Sequence, residues 1–112
     1  MATRASGLGA SDDAANQMLW RPVSAKVLAR GGNHAAAEGL MREALAIAES
    51  TDDVNGVGDI YDALSEVLLL GGRPTEAAGA LRQALGCFER KGNPVSAERV
   101  RNRLQEIEPA RR

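Results

Sequence analysis

The chain has 112 residues and a formal net charge of −1, from 14 basic and 15 acidic side chains. That length suits one domain, and so even a balance provides no field of one sign to steer the protein onto nucleic acid or an anionic membrane. Apolar residues make up 44%, skewed to small side chains, with 20 alanines against one Trp, one Tyr and one Phe; this favours closely packed helix pairs over a thick sheet sandwich.

Residues 1–13 (MATRASGLGASDD) are small, polar and aperiodic, and read as a disordered leader. From Ala14 the pattern turns helical: Met18, Leu19, Val23, Val27 and Leu28 recur at three- and four-residue steps, with Pro22 marking a start or kink, and Gly31-Gly32 closes the run. Asn33 is the expected N-cap of a second helix, whose apolar face is Ala37, Leu40, Met41, Ala44, Leu45 and Ala48. Thr51-Asp52-Asp53 ends that helix and caps a third, which carries Val57, Ile60, Tyr61, Leu64, Val67 and Leu68 up to Gly71-Gly72. Pro74 suits the first turn of a fourth helix, where a missing amide hydrogen costs nothing; its stripe is Ala77, Ala78, Leu81, Ala84, Leu85 and Phe88. Lys91-Gly92-Asn93-Pro94 is a stop, a cap and a restart, after which Ala97, Val100, Leu104 and Ile107 mark a fifth helix that Pro109 ends. No segment alternates as a half-buried strand does, so the fold class is all-α, with a helical domain over 14–108 and a basic tail over 109–112.

The sequence also matches itself. A shift of 40 residues superposes Val27-Leu28 on Val67-Leu68, Gly31-Gly32 on Gly71-Gly72, Ala37 on Ala77, Gly39 on Gly79, Arg42 on Arg82, Ala44-Leu45 on Ala84-Leu85 and Glu49 on Glu89. These are ten identities over positions 27–50, breaking at the same turn glycines. Continued once more, the shift lays Ile60 on Val100 and Leu64 on Leu104, so the fifth helix begins a third copy.

Tyr61, Leu64, Ser65, Leu68, Gly72, Ala77, Leu81 and Ala84 have the order and spacing of the tetratricopeptide signature, and the chain resembles that family over about residues 17–107. In the earlier copy Ala25, Leu28, Gly32, Ala37, Met41 and Ala44 fill the matching places, but Trp20 stands one residue early and Arg21 occupies the position of the aromatic. The long period is similar to that of the C-terminal repeat arrays of bacterial cyclase and ATPase-type regulators. The resemblance implies antiparallel helical hairpins stacked as a short right-handed solenoid of about five helices, since one hairpin cannot bury both its faces.

The chemistry-bearing residues do not assemble into a catalytic set. His34, the one histidine, has no nucleophile in the matching turn and reads as a first-turn residue. Cys87 lies near the C-terminal end of its helix, away from the helix N-terminus that would activate a thiol, and reads as a packing residue. The Gly-Gly pairs follow no strand and precede no Lys-Ser or Lys-Thr, so they read as helix C-caps and not as phosphate loops. The arginines of the last helix lack interleaved aromatics and read as a solvated face. No catalytic residue, cofactor or metal site is expected. With no apolar run near the roughly 18 residues of a bilayer span, no secretory signal in Met1 to Ala10 and no disulfide partner for Cys87, the expected compartment is a reducing cytoplasm.

Function is therefore expected at surface positions that the repeat leaves unmatched. In the resembled fold the first helix of each hairpin lines a concave groove, which assigns Lys26, Arg30, Asp59, Asp62, Glu66, Arg99 and Asn102 to a candidate partner-binding face. The partner implied is a protein or peptide segment, or a second copy, and neither nucleic acid nor membrane. The alternative expectation is a regulatory C-terminal segment of a larger bacterial signalling protein. Leu69 and Leu70 make the third helix apolar almost all round at its end, so a neighbouring helix or a second subunit is expected to cover them.

Overall fold

A computed structural model describes residues 10–108, with side chains from Trp20 onward. It contains five helices: α1 (Ala10–Arg30), α2 (His34–Glu49), α3 (Val54–Leu70), α4 (Pro74–Lys91) and α5 (Pro94–Ile107). Among the described residues there is no strand, and no helix is long and apolar enough to cross a membrane. The helix α1 begins at Ala10 and runs through Pro22 without interruption. Residues 1–9 of the expected leader and the tail at 109–112 lie outside the described residues.

The turns show why the glycine pairs recur. At the ends of α1, α3 and α4 the chain enters the left-handed region at Gly32 (φ 94°), Gly72 (φ 76°) and Gly92 (φ 73°), a conformation in which a Cβ would be strained. Each turn is closed by one long backbone hydrogen bond, donated by Asn33 to the Leu28 carbonyl (2.8 Å), by Arg73 to Leu68 (2.9 Å) and by Asn93 to Phe88 (2.9 Å). This is the Schellman closure, which satisfies carbonyls that a helix end leaves open. The α2–α3 turn is built differently: Thr51 Oγ1 donates to the Ala48 carbonyl, and the Asp53 carboxylate caps α3 by accepting from the Gly56 amide at 2.9 Å. Asn93 caps α5 through the Ser96 amide, whereas Asn33 holds the N-cap place of α2 without a side-chain bond.

Each helix packs antiparallel on the next in sequence, and α1 also meets α3, so the first helices of the two hairpins form one layer and the second helices another. The shortest principal extent is 17 Å, the depth of two helix layers. Ala25, Ala29, Ala37, Met41, Leu64, Val67, Leu68 and Ala77 fill the centre. Leu81, Ala84 and Phe88 take up Ala97 and Val100 of α5, and Ala44, Leu45 and Ala48 take up Ile60. Tyr61 touches all three groups and joins them. The small residues conserve helix separation, and the bulky ones between them fill the remaining groove.

Two groups of apolar residues lie at the surface of the single chain. Val23 and Val27, read as part of a core stripe on the first helix, are exposed, and so are Leu69 and Leu70. The periodicity of these residues fits burial, but no described helix lies against them.

Candidate functional site

Of the residues expected to form a binding face, the structure brings Lys26 to Glu66 and Arg99 to Asp62 across the first-helix layer α1, α3 and α5. Helical spacing places Asp59, Asp62 and Glu66 along one side of α3. From α1, Lys26 Nζ reaches Glu66 Oε1 at 2.9 Å. From α5, Arg99 donates to Asp62 Oδ2 at 3.0 Å, and Arg103 stands 3.2 Å from Oδ1 without the alignment of a hydrogen bond. Asp62 is buried while both arginines remain in contact with solvent. The acidic middle of the face is thus neutralised from both sides by helices that the sequence places 40 residues apart.

Three of the candidates are not tied down in this way. Asp59 is exposed and has no ion pair among the described residues. Partial desolvation of its carboxyl, added to the nearby charges of Asp62 and Asp53, outweighs the attraction of Arg99 and raises its pKa above the usual value. Arg30 and Asn102 are exposed and make no side-chain hydrogen bond or ion pair among the described residues. Arg103 falls on the same stripe of α5 by helical period, outside the seven candidates, and its distance to Asp62 adds it to the face.

The worth of the Asp62 pairings is modest, because the cationic heads are solvated and screened. A double-mutant cycle on Asp62→Ala and Arg99→Ala, read by urea denaturation, should return a coupling of about 0.5–1 kcal/mol that shrinks as salt is added.

The two other reactive side chains, His34 and Cys87, lie on the second helices of the hairpins, α2 and α4. His34 opens α2 half-buried, its Nδ1 enclosed without a protein partner among the described residues and its ring beside Gly71. No nucleophile is bonded to it. Cys87 is buried, and that burial pushes its thiol pKa up despite the nearby Arg90, so the thiol form prevails at neutral pH. A cleft of about 690 Å³ lies between the α2–α3 turn and α4, floored by Val57, Tyr61 and Cys87. Three of its four acids are engaged, Glu49 with the Tyr61 hydroxyl, Asp53 as the α3 cap and Glu89 with Arg101 at 2.9 Å, and Asp52 has no side-chain bond among the described residues. Among the described residues no three His, Cys, Asp or Glu side chains group as a metal site would require.

On the opposite layer, Glu38 accepts from Arg42 at 2.9 Å and from Arg73, which also holds Glu76. The bond from Arg73 is the main cause of a lowered Glu38 pKa. This network ties α2 to the start of α4.

A family model described as tetratricopeptide repeat matches residues 18–90. No curated protein and no solved structure matches the chain. The matched span covers both hairpins and stops at the end of α4, before the helix that begins the third copy.

Proposed function

The chain belongs to the tetratricopeptide-repeat family, and from that premise we propose that it is a non-catalytic interaction module that takes up a protein segment on the face shared by α1, α3 and α5. Repeats of this class generally mediate protein–protein interaction or scaffolding. The observation that carries the reading is the state of Asp59. That residue is exposed and has no ion pair among the described residues; partial desolvation, with the like charges of Asp62 and Asp53, raises its pKa despite the nearby Arg99. A cationic group arriving from a partner would relieve that charge, with Arg30 and Asn102 free to bind the partner's acceptors. Around them the Lys26–Glu66 and Asp62–Arg99 pairs hold the helix faces in register, as a rim of satisfied polar contacts does.

The test is selection of binders from a random peptide library on the intact chain. Selected peptides should carry Lys or Arg, and should lose about tenfold or more in affinity for Asp59→Lys. Helicity should be unchanged in that variant, since Asp59 is exposed. Peptides that bind Asp59→Lys and native chain equally would place the binding face elsewhere.

A further inference from the structure

The internal repeat makes α1 and α3 equivalent, and the two helices differ in what covers them. On α3 the residues Ile60, Ala63 and Val67 are 4%, 8% and 1% exposed, buried against the preceding hairpin. Their counterparts on α1, 40 residues earlier, are Trp20, Val23 and Val27, at 41%, 65% and 62%. So α1 presents the same helix-packing face, in larger side chains, with no described helix upon it. The face is well held from behind: the Arg21 guanidinium stacks on the Trp20 ring at 4.7 Å and is itself bonded to Glu43 of α2.

What could cover it is narrowed by the rest of the molecule. The opposite end is closed by α5, whose outward side chains, Val95 apart, are polar: Glu98, Arg101 and Gln105 are all exposed. A head-to-tail neighbour would therefore lay charge on Trp20 and Val27. The other large apolar side chains exposed among the described residues are Leu69, Leu70 and Val95, and only Trp20, Val23 and Val27 form a three-residue stripe along one helix face, so the best match to this stripe is the same stripe on a second copy.

We propose that this face pairs with the same face of a second copy, the two α1 helices lying antiparallel about a two-fold axis. In that register Trp20 of each copy meets Val27 of the other, and Val23 and Ser24 lie near the axis, where the small serine permits close approach. A two-fold contact of this kind is isologous and closed, so it yields a dimer and not a fibre. The flanking cations raise no barrier, since Arg21 and Lys26 are each neutralised within their own copy by Glu43 and Glu66. Three large side chains per copy form a contact smaller than the standard interface of about 800 Å² per partner, so the dimer dissociates in the micromolar range. The face is distinct from the one proposed to bind peptide, and neither reading depends on the other.

Sedimentation equilibrium on the intact chain, from low micromolar to sub-millimolar concentration, decides the matter. The mass should rise from 11.8 kDa towards twice that value, and the emission of Trp20, the single tryptophan, should shift to the blue in parallel. Val27→Glu should remain monomeric with unaltered helicity, and the milder Val23→Ser should weaken the dimer about tenfold. Val95→Ala, on the exposed start of α5 and far from α1, should dimerise normally. A native chain that stays monomeric throughout overturns the proposal, as does a dimer that survives Val27→Glu with Trp20 emission unshifted.

Discussion

Replacing Phe88 with alanine is expected to destabilise the protein by about 3–5 kcal/mol, the range for truncating a fully buried aromatic ring. Phe88 is 0% exposed and is the one large aromatic sealed in the core. Its ring lies where α4 passes from α3 to α5: Gly58 and Cys87 stand on one side, Ala97 and Val100 on the other. Leu81, Tyr61 and Leu104 belong to or pack on the same cluster and can relax only in part into the space the ring leaves. A domain of this size has about 5–15 kcal/mol in hand. The loss would fall first on α5, whose buried contacts are Ala97 and Val100. Amide exchange should therefore quicken across α5 before it quickens in α2 and α3, while urea denaturation followed by circular dichroism gives the total. Val95→Ala, on the exposed start of the same helix, should leave both readings within about 0.5 kcal/mol of native.

How much of this was legible in the sequence varies with how local each determinant is. The turns are local, and the Gly-Gly and Gly-Asn-Pro signals marked the ends of α1, α3 and α4 because a left-handed residue and a following cap are needed within three positions. The alanine and leucine stripes on α2 and α4 were legible for the same reason. The first helix was not, because burial there depends on whether a neighbour exists. Val23 and Val27 have the spacing of Ala63 and Val67, yet only the latter pair has a helix against it. The early tryptophan is resolved in the same terms: Trp20 faces outward, and Arg21 takes the place equivalent to Tyr61, its head turned to Glu43. On the candidate face, the stripe of Asp59, Asp62 and Glu66 followed from one helix's period. Which base meets which acid depends on the offset between helices, which no single-helix pattern records. Helical period sets Arg103 on the same stripe as Arg99 and leaves Arg101 off it, but not the partners: the first meets Asp62 and the second meets Glu89 and Glu98.

Gly58 gives the sharpest case of a determinant hidden from sequence, and the second large effect. Among the glycines inside helices it looks like Gly39, Gly79 and Gly86, at each of which an added methyl would meet nothing within 4 Å. At Gly58 the same methyl would stand 2.8 Å and 2.9 Å from two ring carbons of Phe88 and 3.2 Å from the Cys87 Cβ. The absence of a side chain lets the first turns of α3 lie directly on the aromatic ring. Since Phe88 is enclosed by α5 on its far side, it cannot swing away without opening the α4–α5 contact. Two effects then oppose each other in Gly58→Ala. Helix propensity favours alanine by about 1 kcal/mol, whereas overpacking costs about 1–3 kcal/mol, so a net loss is expected. In Gly58→Val the propensity gain is smaller and the branched side chain overlaps the ring further, which takes the loss to about 3 kcal/mol or more. The pair should be coupled: in a Phe88→Leu background the ring is gone, and Gly58→Ala should become neutral or stabilising by denaturant midpoint. Were Gly58→Ala equally harmful in both backgrounds, contact with Phe88 could not be the reason for the glycine, and the register of α3 on α4 would have to differ from the one described.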